Sequence, residues 1–121
     1  MHYTVMKEES IMGLNLKTDG VYVDATLGYA GDSSEILKRV KKGFLFAFDQ
    51  DIEAITWSKK VLDGVGQNFL IIKSNFLYMK EELASRNVMG VDGILFDLGV
   101  SSPQLDNDYR GFSYQDRKSV V

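Results

Sequence analysis

An α/β fold built on a parallel sheet of at least four strands follows from three observations on this 121-residue sequence. Short β-rich or apolar runs alternate with helix-period segments from about residue 20 to residue 97. One of those runs, Phe44 to Phe48, is apolar throughout, the pattern of a strand covered on both faces. Small acidic or amide residues (Asp24, Asp49, Asn75 and Asp97) recur at or just after the end of each strand segment. Alternation of this kind implies right-handed crossovers and helices on both faces, hence three layers. Ligands of such sheets bind outside the carboxyl ends of the strands, where these four side chains fall.

Taken in order, Val21-Tyr22-Val23 is a short β-rich run ending at Asp24. Asp32 to Lys42 has helical spacing, with Ile36, Leu37 and Val40 on one face. The Phe44–Phe48 strand follows, then a second helix from Asp51 to Leu62 with Ile52, Ile55 and Leu62 among its apolar positions. Phe69 to Ile72 is the third strand, Leu77 to Arg86 the third helix, and Gly93 to Phe96 the fourth strand. Upstream of residue 20 the sequence predicts a short amphipathic helix that packs through Val5, Ile11, Met12 and Leu14. Downstream of Asp97 no period is sustained, and the Ser-, Asp- and Gly-rich stretch to Val121 reads as a long loop or tail.

Composition narrows the function classes. The chain is 45% hydrophobic and 26% charged, as in ordinary soluble domains, and its length suits one small domain. Cysteine is absent, so disulfides and thiolate metal sites are excluded. No apolar run approaches a membrane span and the N-terminus lacks a signal-peptide core, which gives a cytoplasmic expectation with no membrane partner. A net charge of −3 argues against strong nucleic-acid binding by this chain alone. The densest basic set, Lys38, Arg39, Lys41 and Lys42, falls at a helix end, where cations complement the helix dipole; RNA contact is the competing reading.

Four places carry polar chemistry. In the first, Asp24 to Asp32, Gly28 and Gly31 permit a sharp turn and close approach of a ligand to backbone, and the helix that follows offers unpaired N–H groups. The Gly-x-x-Gly spacing does not meet the Gly-x-Gly-x-x-Gly dinucleotide pattern, which disfavours a nicotinamide oxidoreductase. Asp32-Ser33-Ser34-Glu35 fits a capping box, so Asp32 is expected to cap its helix. In the second, Asp49 lies about 20 residues past the Gly loop, the position of a carboxylate that accepts from ribose hydroxyls; neighbouring Asp51 is expected to cap the next helix. In the third, Asn75-Phe76, the ring either lies against an adenine or is a core side chain. In the fourth, Asp97 to Gln104, carbonyls and Ser or Asp oxygens can hold an exocyclic amine.

Several stretches together resemble the N-terminal part of the RsmH (MraW) family. They are His2 to Val5, Leu14 to Leu16, Asp19 to Gly28, Phe48 to Asp51, Asn75-Phe76 and, most specific, Val91 to Asp106 followed by Arg110 to Ser113. The resemblance implies a Rossmann-like class I S-adenosylmethionine-dependent methyltransferase fold, truncated, acting on N4 of a cytosine in 16S (small-subunit) ribosomal RNA. It divides the chain into 1–104, the front half of the cofactor-binding domain, and 105–121, a loop or tail. It places cofactor contacts on Gly28, Ala30, Gly31, Asp32, Asp49, Phe76, Asp97 and Gln104, and substrate-orienting roles on Asp97, Ser101, Ser102 and Pro103. No metal is implied. The family loop is expected to read Gly-Gly-His where this chain has Ala30-Gly31-Asp32, which sets a methyl group and an anion against the cofactor. Ribosomal RNA is the implied partner, held mostly by parts of the family absent from this sequence. Without those parts the fourth strand becomes an open edge, and a homodimer through that edge is expected. The alternative is a non-catalytic paralogue or fragment that binds a ligand or a protein partner.

Overall fold

The computed structural model describes Val5–Lys7 and residues 16–96. Five strands form one sheet, β1 (Val5–Lys7), β2 (Val21–Asp24), β3 (Phe44–Asp49), β4 (Phe69–Lys73) and β5 (Gly93–Phe96), in the order β1-β5-β2-β3-β4. Every pairing is parallel. Helix α1 (Gly31–Arg39) joins β2 to β3, α2 (Ile52–Asp63) joins β3 to β4, and a 3-10 turn (Phe76–Tyr78) leads into α3 (Met79–Ala84) before β5. The chain steps outward from β2 to β4 and then returns to lay β5 on the opposite side of β2. That reversal creates a topological switch point beside β2, the place where open parallel sheets form ligand crevices.

Strand alternation sorts the core into two halves. Val23, Phe46, Phe48, Ile94 and Phe96 face α3, where they meet Met79, Leu83 and Val91. Tyr22, Leu45, Ala47 and Leu95 face the other way, against Ile36, Leu37 and Val40 of the α1 region and Leu62 of α2. Burying each Phe or Leu contributes roughly 1.5–3 kcal/mol. In β3, residues Leu45 to Phe48 are all buried, as the unbroken apolar run requires.

Three sequence expectations are corrected. Val5 lies in a strand rather than a helix, and it pairs with Ile94 of β5. The Gly93–Phe96 strand is therefore interior, with β1 on one side and β2 on the other, and is not an open edge. The basis for a dimer through that edge is removed. Helix α1 ends at Arg39, three residues short of Lys42, because Val40 turns out of helical geometry and the chain must swing into β3. The basic cluster at this end is partly neutralised internally: Glu35 pairs with Lys38 at 3.2 Å and with Arg39 at 3.0 Å. The Arg39 and Lys38 bonds hold the Glu35 carboxyl below its usual range.

The turn from α1 into β3 is tightly built. Asn68 donates from Nδ2 to the carbonyls of Val40 (2.8 Å) and Gly43 (3.0 Å), and Phe44 N–H donates to Gly20. A β-carbon on Gly43 would run into the Gly20 carbonyl oxygen, which is backbone and cannot rotate away. On the same side, Tyr22 is buried with its phenol oxygen accepting from Lys17 N–H at 3.0 Å.

Two outcomes follow for urea denaturation of the full chain. Gly43→Ala is expected to cost about 1–3 kcal/mol or to prevent folding. Gly64→Ala sits at a right-handed helix end in ordinary contact range and should be neutral or gain up to about 1 kcal/mol. A third outcome concerns alkaline pH. Burial pushes the Tyr22 phenol above 10.0, and the Lys17 N–H opposes this. The folded state thus holds its proton where the unfolded chain releases it, so this contribution is present below the unfolded value and is lost as pH rises through the folded one. Tyr22→Phe should flatten that alkaline loss, read from denaturation midpoints between about pH 9 and 11.

Candidate functional site

A cleft opens at the carboxyl ends of β2, β3 and β4. Its volume is about 290 Å³, close to the lower end of small-molecule sites. Ala25, Thr26 and Gly28 line it from the loop after β2, Asp49 and Gln50 from the end of β3, and Ser74, Asn75 and Phe76 from the loop after β4.

The loop after β2 is the most constrained part. Gly28 has φ +56° and Ala30 φ +71°, so two left-handed residues flank the exposed Tyr29. Gly28 N–H donates to Asp49 Oδ2 at 2.9 Å, and Gly28 carbonyl accepts from Ser58 Oγ at 2.9 Å. Asp49 Oδ1 accepts from the N–H groups of Gln50 (2.7 Å) and Asp51 (2.9 Å). Three of a carboxylate's roughly four acceptor positions are thus filled by backbone, and one remains on Oδ2. A β-carbon on Gly28 or Gly31 would meet nothing within 4 Å. Nothing in the described chain occupies the space beside them, so a ligand can approach the backbone there.

Asp24 does not share this cleft. Strand alternation sends it to the same face as Tyr22, and it is buried with Oδ2 accepting from Ser33 Oγ at 2.7 Å and Oδ1 from Thr26 N–H at 3.1 Å. It ties the end of β2 to α1. Asp32 does not cap α1. The Ala30 carbonyl accepts the first helical bond, from Ser34 N–H, so the helix starts at Gly31 and Asp32 lies in its first turn. Glu35, the other half of the expected box, is drawn to Arg39 and Lys38 instead. Ala30 is sealed in the core on the α1 side, so its methyl group does not crowd the cleft. Asp51 caps α2 as expected, accepting from Glu53 N–H. Phe76 unites both readings made of it: it lines the cleft and packs edge-on against Phe96 at 5.9 Å.

The structure therefore brings together Gly28, Asp49, Asn75 and Phe76. It sets Gly31 and Asp32 in the first turn of α1 and buries Ala30. Asp97, Ser101, Ser102, Pro103 and Gln104 lie outside the described residues. Sequence reasoning missed Ser33 and Ser58. Their signal is a lone hydroxyl on the buried face of a helix, Ser33 with Ile36 and Leu37, and Ser58 between Ala54 and Leu62.

A family model described as the MraW methylase family matches residues 1–120. The chain belongs to this family. Among curated relatives, ribosomal RNA small subunit methyltransferase H of Exiguobacterium sibiricum is 59% identical over 113 residues, 93% of this chain and 36% of that protein. The protein of the same name from Mycoplasmopsis agalactiae is 53% identical over 113 residues, 93% of this chain and 38% of its own length. The chain thus spans little more than a third of the MraW-family relatives it matches. Solved structures agree on the fold. An rRNA methylase from Streptococcus thermophilus aligns with TM-score 0.65 at 19% identity, over 86% of this chain and 58% of that one. A fibrillarin/Nop5p complex aligns with TM-score 0.66 at 16% identity, over 82% of this chain and 47% of that chain. The fold is the Rossmann-like one that the resemblance implied. Among the described residues, no helix is long and apolar enough to cross a membrane.

Two serine-to-alanine and aspartate-to-alanine effects separate anchoring from capping. Ser33→Ala deprives the buried Asp24 of a donor and is expected to cost about 1–3 kcal/mol. Asp32→Ala removes a first-turn charge that does not cap the helix, an effect of about 0.3–1 kcal/mol. Chemical denaturation of both variants would reverse this order if Asp32 were the structural cap.

Proposed function

We propose that this chain supplies the cofactor-binding strands of an S-adenosylmethionine-dependent methyltransferase that acts on N4 of a cytosine in small-subunit ribosomal RNA. Family membership and the names of the relatives support the activity and the substrate. The observation that carries the reading is the cleft itself: a left-handed glycine loop gripped by Asp49, with free space beside Gly28 and Gly31, at the carboxyl ends of β2, β3 and β4 in a parallel sheet.

When bound, S-adenosylmethionine would supply an electrophilic methyl group: the amine lone pair would form the new N–C bond, the carbon–sulfur pair would stay on sulfur, and one amine proton would leave to solvent. The residues divide the holding of it. Asp49 keeps one acceptor position on Oδ2, enough for one ribose hydroxyl. Gly28 and Gly31 let the backbone approach the methionine end, and the first turn of α1, with Asp32 beside it, is where a carboxylate meets the helix dipole and the zwitterion's ammonium meets an anion. Phe76 offers a ring face to the adenine. Asp97 and Gln104 complete the sulfonium and adenine side by resemblance, and Asp97, Ser101, Ser102 and Pro103 orient the cytosine amine. Transfer then rests on alignment and exclusion of water. Ribosomal RNA is the partner and the cytoplasm the setting of this reading.

Calorimetry of the full chain with S-adenosylmethionine and S-adenosylhomocysteine tests it. Asp49→Ala is expected to weaken binding at least about tenfold, a loss of about 1.4 kcal/mol. Methyl transfer from labelled cofactor to small subunits lacking the modification is the second measurement. Binding with transfer supports the whole reading, and binding without transfer favours the non-catalytic alternative. Tight NADH binding with no response to S-adenosylmethionine would sink it.

A further inference from the structure

Tyr29 stands at the tip of a turn that is anchored on every side. Ala30 N–H donates to Leu27 carbonyl at 3.0 Å and closes the turn over Gly28 and Tyr29. Leu27 and Ala30 are both buried, in the core half that holds Ile36 and Leu37. Leu27 N–H donates to Phe48 carbonyl at 2.9 Å, and Gly28 is held by Asp49 and Ser58. The tip itself is left out: Tyr29 is 63% exposed, and its side chain makes no hydrogen bond, ion pair or ring contact with the described residues. With its backbone fixed, only two side-chain torsions remain free, so the ring can be offered to a partner at small entropic cost.

The place of the turn says what that partner is. Gly28, next to Tyr29, lines the cleft from the β2 side. In the cofactor reading above, Phe76 after β4 takes the adenine, Asp49 at the end of β3 the ribose, and Gly28 and Gly31 after β2 the methionine end, and these three strands are successive neighbours in the sheet. The sulfonium joins ribose to methionine, so the methyl group lies between the β3 and β2 walls, away from Phe76. The base that receives it must come to the Tyr29 side. Tyr78, also exposed, belongs to the turn after β4 at the opposite end. Residues 25–30, 50–51 and 74–78 of the cleft loops include no Lys or Arg, and the chain carries a net charge of −3. These loops therefore offer no cation to a phosphate. An aromatic ring needs none, because every unpaired base has a π face that can stack on it.

We propose that Tyr29 is a substrate-contact residue whose ring stacks on an unpaired nucleobase of the RNA beside the methyl donor. The inference rests on the methyl-transfer reading above and deepens it. Stacking holds the RNA in place without touching the bonds that change, so it acts on substrate affinity and not on the chemical step.

Tyr29→Ala isolates this contact. Melting and affinity for S-adenosylhomocysteine, measured on the full chain, should be unchanged. The KM for small subunits lacking the modification should rise about 5- to 100-fold, with kcat nearly constant; if subunits bind without transfer, the same ratio is read in their Kd. Tyr29→Phe and Tyr29→Trp, which keep a ring, should stay near the unsubstituted chain. Tyr29→Leu, apolar but without a π face, should behave like Tyr29→Ala. Trp57→Ala, which removes an exposed aromatic from α2, should change nothing. Unchanged subunit affinity in Tyr29→Ala overturns the inference, as does full retention in Tyr29→Leu, which would mean a plain apolar contact. A fall in S-adenosylhomocysteine affinity with constant KM also overturns it, by assigning the ring to the cofactor. Failure of the unsubstituted chain to bind or methylate small subunits overturns the substrate reading itself, and the inference with it.

Discussion

The grip of Asp49 on Gly28 is the constraint on which the rest of the site depends. The chain leaving β2 must reverse direction within a few residues to enter α1, and it does so through left-handed backbone at Gly28 and Ala30. For Ala30 that conformation costs about 1–2 kcal/mol. Three hydrogen bonds surround the turn: Gly28 N–H to Asp49, Ser58 Oγ to Gly28 carbonyl, and Ala30 N–H to Leu27 carbonyl. At about 1 kcal/mol each they offset the strain, and burial of the Ala30 methyl adds to them. The loop is therefore fixed by β3 and α2 together, not by its own sequence alone. Its position sets the floor of the cleft and the start of α1.

Period-two alternation decides which carboxylates can serve a ligand. Asp24 shares the parity of Tyr22 and turns toward α1, where Ser33 receives it. Asp49 shares the parity of Leu45 and Ala47 and turns to the same face, but β3 runs on past Asp24 to the level of the loop. It consequently meets Gly28 at the rim. Two aspartates at two strand ends, alike in sequence, become an internal tie and a cleft wall because the strands end at different heights.

Much of this was legible in the sequence. Apolar runs located β2 to β5 within a residue or two, because strands buried on both faces leave an unmistakable signature in β3. Spacing and chemistry put the loop after β2 and Asp49 at the strand ends, and left Phe76 open between a core side chain and a cleft wall. What was not legible is what depends on distant partners. The strand Val5–Lys7 is too short to carry a period, and its pairing with β5 spans most of the chain. Asp32 and Glu35 have capping-box spacing, but the left-handed geometry of Ala30 starts the helix earlier and the Arg39 side chain claims Glu35. A left-handed alanine leaves no mark in a sequence, because its cause is the clamp that β3 and α2 impose.

Asp49 and Asn75 share a physical logic that bears on how an open cleft holds a small ligand. Each has part of its polar group satisfied by backbone N–H groups of its own or a neighbouring loop, and each keeps another part available. A side chain held this way has already lost its rotamer freedom on folding, so a ligand need not supply the roughly 0.5–1.5 kcal/mol of ordering that a loose polar side chain would require. Its direction is also fixed: the bonded edge names the edge that remains. For Asp49 the remaining edge is an acceptor beside a glycine with open space, and for Asn75 it is a donor beside an aromatic ring. An acceptor and a donor set one strand apart, beside an aromatic ring, give the cleft two fixed polar edges of opposite kind. Both groups are aimed before any ligand arrives, because the same hydrogen bonds that close the turns after β3 and β4 aim the edges left over.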